Sequence, residues 1–204
     1  MKKIYAALMC FALGTALFAR EATVSIGAGK NWKEKTAAQC AVWLEDTNGN
    51  YVRTLYVTQR ASRRNWLLAP KAGRPESLPV WYHAAKHESA KGAAATSDAD
   101  AVTAATPKGG VAFTAEIGGG AYVIKAEFNT SFDYNDFYTK KISGVNGQPS
   151  VVYAGKIPQD AHGEIMLSLA GTGSENGSDG KIYTDVSKLT TAKTIVDKII
   201  ITVR

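Results

Sequence analysis

Asn48-Gly49 lies between two runs of β-type sequence, and no other feature limits the fold so tightly. Residues 39–45 (Gln-Cys-Ala-Val-Trp-Leu-Glu) and 51–59 (Tyr-Val-Arg-Thr-Leu-Tyr-Val-Thr-Gln) are rich in Val, Trp, Tyr and Thr. Asn-Gly accepts the positive-φ backbone of a tight turn, so the stretch predicts a β-hairpin. A lone hairpin cannot bury enough apolar surface to be stable, and further strands must cover it. The chain supplies them. Residues 22–26, 111–117, 121–128, 150–154, 165–170, 182–186 and 199–203 read as strands. Gly118-Gly119-Gly120 reads as a second hairpin tip, and 171–180 as a long polar loop. Residues 134–140 either continue a strand or form an irregular excursion. Many short strands between Gly and Asn turns predict a mainly β fold, an antiparallel sandwich of two sheets. Trp43 and the Val and Ile positions are expected inside it.

One helix is expected after the first hairpin. Across residues 76–87, Leu78, Trp81, Tyr82 and Ala85 are spaced for one helical face, and Pro79 is tolerated only in the first turn. His83 and His87 share a face at a spacing that can bind a metal, but they are half a site. Solvent exposure is the plainer reading for both. The Ala/Ser/Gly-rich segment 89–99 then punctuates the chain.

The N-terminus has the layout of a secretory signal peptide. Lys2 and Lys3 precede an apolar run over residues 4–18, followed by Ala19 and Arg20. The run is short for a membrane span, and no other stretch of spanning length follows, so stable membrane insertion is not expected. Residues 1–19 are read as the leader and 20–204 as a single sandwich domain, with the helix and a motif loop inserted near 76–107. Removing Lys2 and Lys3 from the 24 basic residues leaves 22 against 18 acidic ones. That mild excess is spread along the chain and gives no reason to expect nucleic acid as a partner. Cys10 falls within the leader and lacks the small preceding residue of a lipid-anchor site. Cys40 is then the sole mature cysteine, without an internal disulfide partner, and reads as a small buried hydrophobe.

Candidate chemistry is sparse. Asp46, Asn48 and Asn50 are similar to the opening of a calcium loop, but no acid follows at the required distance. Asp133-Tyr134-Asn135-Asp136 is the densest polar and aromatic cluster. Asn146-Gly147-Gln148 can approach it across a hairpin. Asp133 and Asp136 could hold a cation beside Tyr134, Phe137 and Tyr138, which can stack on a flat ring. The alternative is a turn whose Asp and Asn side chains cap their own backbone. Glu127 and Asp133 form a conceivable acid pair, although sandwich strands scatter acids freely. No nucleophile–His–acid arrangement and no phosphate-cradling loop stands out, so the chain is not expected to be an enzyme in its own right.

One short pattern remains, Asp100-Ala101-Val102-Thr103-Ala104-Ala105-Thr106, followed by Pro107. It resembles the Asp-x-x-Ser/Thr-Gly-Ala-Thr signature of exported bacterial flavoproteins, with Ala104 where Gly is usual. The resemblance implies covalent FMN, its phosphate esterified by a flavin transferase onto Thr106. Asp100, Thr103 and Ala105 would complete the recognition motif. A Ser/Ala/Thr-rich loop that matches by chance is the alternative.

Several phrases, in order, resemble the predicted periplasmic proteins grouped as domain of unknown function 2271. They are Trp43-Leu44-Glu45-Asp46, Tyr51-Val52-Arg53-Thr54-Leu55, Leu78-Pro79-Val80-Trp81-Tyr82 and the Asp100 to Pro107 stretch. Glu127-Phe128-Asn129-Thr130-Ser131-Phe132-Asp133-Tyr134-Asn135-Asp136 and Asn146-Gly147-Gln148-Pro149-Ser150-Val151-Val152-Tyr153 follow. The resemblance runs from about residue 22 to about residue 170. It implies an immunoglobulin-like sandwich related to the flagellar hook-cap scaffold domain, and a periplasmic or otherwise exported location. It also implies company with flavin transferases and membrane redox proteins. The resulting expectation is a periplasmic electron carrier with FMN on Thr106. The alternative is a binding or assembly module of the cell envelope without a cofactor.

Overall fold

The computed structural model describes residues 20–33, 38–59, 61, 76–90, 102–104 and 109–204, with side chains outside 86–90 and 102–104. Residues 1–19, expected to be a leader, and Cys10 among them therefore lie outside the described residues. The strands in chain order are β1 (Glu21–Ala28), β2 (Gln39–Glu45), β3 (Tyr51–Thr58), β4 (Val102–Ala104) and β5 (Val111–Glu116). They continue as β6 (Tyr122–Asn129), β7 (Val151–Ile157), β8 (Gly163–Met166), β9 (Ser168–Thr172) and β10 (Val196–Val203). Helix α1 spans Pro79–Ala90, with Pro79 at the one kind of helical position where its missing N–H costs nothing. A single-turn helix α2 covers Lys140–Ser143, and a 3-10 turn covers Thr191–Thr194.

The strands form a β-sandwich. One sheet has the order β5-β1-β10-β8 and the other β4-β3-β2-β6-β7-β9. All pairings are antiparallel except β3 with β4, which adds at the edge in parallel. Between the sheets lies a core that includes Val24, Ile26, Val42, Leu44, Ile124, Phe128, Val151, Ile199 and Ile201.

The seven residues of β2 are all buried. An antiparallel strand with one wet face would alternate, so both faces of β2 must be covered. Cys40, Val42 and Leu44 point between the sheets, while Ala41 and Trp43 belong to a second cluster with Tyr51, Val57, Leu78, Val80, Trp81 and Val152. Helix α1 supplies the cover, as a third layer. Trp43 is thus buried, but beneath the helix and not between the sheets as expected from sequence. Its indole N–H donates to Glu45 Oε1 at 2.9 Å, and Glu45 pairs with Lys125 at 2.7 Å. Cys40 is fully buried, and burial pushes its thiol far above the ordinary value.

The first hairpin forms as read, with a refinement of its turn. Gly49 takes φ +83°, whereas Asn48 does not adopt positive φ. Asp46 organises the loop: one carboxylate oxygen accepts the N–H groups of Asn48 and Asn50, and the other accepts the Asn50 amide. These bonds hold the Asp46 carboxyl below its ordinary value, with Asn50 the largest contributor. The oxygens that a calcium ion would need are engaged by the turn itself.

Three other expectations change. Gly118 to Gly120 is no hairpin tip, because β5 belongs to one sheet and β6 to the other. The Arg20 guanidinium holds this crossover by donating to the carbonyls of Gly118, Gly120 and Pro158. The run 165–170 is split into β8 and β9, also in different sheets, at buried Leu167, whose N–H donates to Ile199. Residues 182–186 form no strand and contribute one bridge, Thr172 with Tyr183. Sequence periodicity registers each run but cannot register which sheet receives it.

Candidate functional site at one end of the sandwich

The register defines what meets at each end. Gln39 opens β2 opposite Asn129, where β6 closes, and Cys40 sits beside Thr58, where β3 closes. Parallel β4 runs from Val102 opposite Tyr56 to Ala104 opposite Thr58. The chain therefore leaves β4 at the same end at which it leaves β6. Residues 105–110 then join β4, at the edge of one sheet, to β5, at the edge of the other. Asp100, Ala105 and Thr106 lie outside the described residues, and for Thr103 the backbone alone is described, opposite Val57. The motif's middle residues thus form an edge strand, a feature the sequence reading treated as loop.

The excursion between β6 and β7 occupies the same end. It is irregular, and Asp133 is its anchor. Buried Asp133 accepts from the Asn31 amide at 2.9 Å, the Gln148 amide at 2.9 Å and the Thr191 hydroxyl at 2.8 and 2.9 Å. Lys33 stands 3.7 Å from its other side. Gln148 also accepts the N–H of Thr190 at 2.7 Å. Three separate chain segments are tied through one carboxylate, in a network whose members satisfy one another. Gly147 takes φ +68° where it crosses the Asp133 backbone, and a Cβ there would lie 2.5 Å from the Asp133 nitrogen.

The approach of Gln148 to Asp133 is as the sequence suggests, but Asp136 does not join them. Asp136 is exposed, while Asn135 caps the turn by accepting the N–H groups of Phe137 and Tyr138. Tyr134 donates to the Gly144 carbonyl, and the Tyr138 ring is buried. Among the described residues no group of three His, Cys, Asp or Glu side chains converges as a metal site. Three oxygens at this end, Gln39 Oε1, Asn129 Oδ1 and Thr130 Oγ, are buried without a hydrogen-bond partner.

Glu127, conceivable from sequence as one acid of a pair, has instead a capping role that residue order does not announce. It is fully buried on the outer face of β6 and accepts the N–H groups of Val80 and Trp81 in the first turn of α1, and the Ser150 hydroxyl at 2.6 Å. It caps the helix across the sheet, where the helix's positive pole favours a carboxylate. Burial raises Glu127 to about 7, against the opposing pull of Ser150, Trp81, Val80 and Lys125. Glu127 and Asp133 share none of these hydrogen-bond partners and anchor different elements, α1 for one and the β6–β7 excursion for the other. The only hint in the sequence was a charged residue at a strand position, which ordinarily faces water.

Two clefts flank the loop after β9. One, of about 540 Å³, runs between α1 and the first hairpin, past Glu45, Tyr51, His83, Lys125 and Asp179. His83 is partly buried, with Nε2 2.9 Å from the Gly177 carbonyl. The His87 side chain lies outside the described residues. The other cleft, of about 390 Å³, has Tyr138, Glu175, Tyr183, Asp185 and Lys188 on its walls.

A family model described as predicted periplasmic protein (DUF2271) matches residues 20–124. The match begins just after the apolar run at residues 4–18 and includes the Asp100 to Thr106 pattern, but stops before the Asp133 excursion. No curated protein and no solved structure matches the chain.

Proposed function

We propose, for a chain that belongs to the DUF2271 family of predicted periplasmic proteins, that it carries FMN covalently on the Thr106 hydroxyl and relays electrons. A flavin transferase would install the group, and a membrane redox protein would exchange electrons with it. The observation that carries this reading is the edge strand β4. Among the described residues it pairs with β3 alone, and Ala104, its last residue, stands two positions before Thr106 in the sequence. An edge strand is more accessible to a second enzyme than a central one, and Thr106 follows this edge strand closely in sequence. The small residues Ala104 and Ala105 leave room for that approach. Bound flavin supplies the redox chemistry, and the protein supplies attachment and shielding, with no catalytic residues of its own.

The second reading is an envelope binding or assembly module without a cofactor. The cleft of about 540 Å³ beneath α1 favours it, with charged, hydroxyl and imidazole groups on its walls. Colour distinguishes the two. Protein co-expressed with an FMN transferase is expected to gain one FMN by intact mass, to stay yellow after denaturation, and to lose the label in Thr106→Ala. Folded protein that gains no mass, or a Thr106→Ala variant labelled like the parent, leaves the binding module as the account.

A further inference from the structure

Four apolar side chains project from the excursion that joins β6 to β7. Phe132 is 55% exposed, Phe137 54%, Ile142 56% and Val145 50%. Exposed apolar residues scattered singly are ordinary, but these four fall within fourteen residues of one loop, and a backbone bond draws Phe132 and Val145 together. The loop is also built to hold them out. Phe132 keeps a positive φ of 62°, which an aromatic residue rarely adopts, and its N–H is bonded to the Val145 carbonyl at 2.9 Å. Directly behind Phe132, Asp133 pins the base of the loop through Asn31, Gln148 and Thr191. Lys140 and Lys141 are exposed beside Ile142, and the Lys188 ammonium lies 5.9 Å from the Phe137 ring. Opposing charges are Asp136 within the loop, Asp185 close to Lys188, and Glu175, which with Asp185 acts on the Tyr138 hydroxyl; Lys140 and Lys141 stand apart from these on α2.

We infer that this tip is a peripheral docking surface for an anionic lipid bilayer. Projecting apolar groups beside lysines match the boundary between acyl chains and acidic headgroups: the former enter the boundary and the latter stay with the phosphates. A flat protein partner would instead be met by a broad, closely packed face. The consequence follows from topology. The excursion leaves β6 at the end of the sandwich where the chain leaves β4, and the two strand ends are three strand spacings apart, or roughly 14 Å. Docking would turn the end of the sandwich where β4 closes at Ala104 toward the bilayer. The inference does not depend on flavin.

The test is co-sedimentation of purified, unflavinylated protein with vesicles of phosphatidylcholine alone or mixed with phosphatidylglycerol. Binding is expected on the mixed vesicles, weakening as salt rises. Lys140→Glu with Lys141→Glu, and separately Phe137→Ser with Ile142→Ser, are expected to lower partitioning about tenfold or more. Met166→Ser removes another exposed apolar group, on β8, and is expected to change nothing. Circular dichroism checks that each variant is folded. A parent that stays in solution with both vesicle types overturns the inference and turns attention to a protein partner. Equal binding by the parent and both double variants overturns it too.

Discussion

The Glu127 carboxylate accepts the backbone N–H of Trp81 at 2.8 Å, so a residue on a central strand closes the start of the helix that covers that strand. Helix α1 has no acidic residue in its own first turn. The first-turn N–H groups of Val80 and Trp81 are satisfied from the sheet, which couples helix docking to the state of one buried carboxyl. Burial raises that carboxyl from 4.5 to about 7. The folded chain thus holds the proton more tightly than the unfolded chain. Stability from this group is full below about pH 4.5 and is lost as pH rises through about 7. The thermal midpoint is expected to fall between about pH 5 and pH 8, and Glu127→Gln should remove most of that slope. Parallel slopes in parent and variant would assign the pH dependence elsewhere.

Gly147→Ala should be among the most damaging single changes in the loop. It combines an unfavourable positive φ with a Cβ driven to 2.5 Å from Asp133 backbone atoms. A loss of about 2 kcal/mol or more is expected in urea titration. Gln148→Ala should cost about 1–3 kcal/mol, because it leaves buried Asp133 short of a donor. If both variants unfold with the parent, the network is not what holds this end together.

Arg20→Ala tests the opposite end. The side chain is buried and donates to three carbonyls from two separate chain segments. Its loss should cost about 2 kcal/mol, and Arg20→Lys should recover only part, since an ammonium lacks the planar fork. Calorimetry that ranks Arg20→Lys equal to the parent would show that charge alone suffices.

Gly49→Val isolates a backbone effect. Nothing lies within 4 Å of a Cβ at Gly49, so the penalty comes from φ +83° alone. About 1 kcal/mol or more is expected, and Gly49→Asn should cost less because Asn tolerates that region. Chemical denaturation that finds Gly49→Asn the worse of the two would contradict this origin.

Within the flavin reading, Asp100→Ala should slow labelling by an FMN transferase without removing the acceptor. Ala104→Gly should preserve or speed it, because it restores the usual signature and loosens the end of β4. Time courses of intact mass compare the three proteins. Faster labelling of Asp100→Ala than of the parent would exclude Asp100 from recognition.

Local physics was legible in the sequence. Gly49 turns because Asn-Gly does, Pro79 opens the helix because it fits only there, and Cys40 is buried within an apolar run. Two sheets of short strands followed from turn spacing. The tertiary structure decided which sheet takes each strand, and so turned the glycines at 118–120 from a tip into a crossover. It also decided which neighbour covers each face. Trp43 alternates correctly along β2, yet period two distinguishes only two faces and cannot say that one belongs to a helix thirty-odd residues away. Glu127 and Asp133 look alike in sequence, two acids near the end of one strand. Their partners come from α1 and Ser150 for one, and from Asn31, Gln148 and Thr191 for the other. A buried charge is tolerated only where such long-range partners converge, and convergence is a property of the folded chain rather than of residue order.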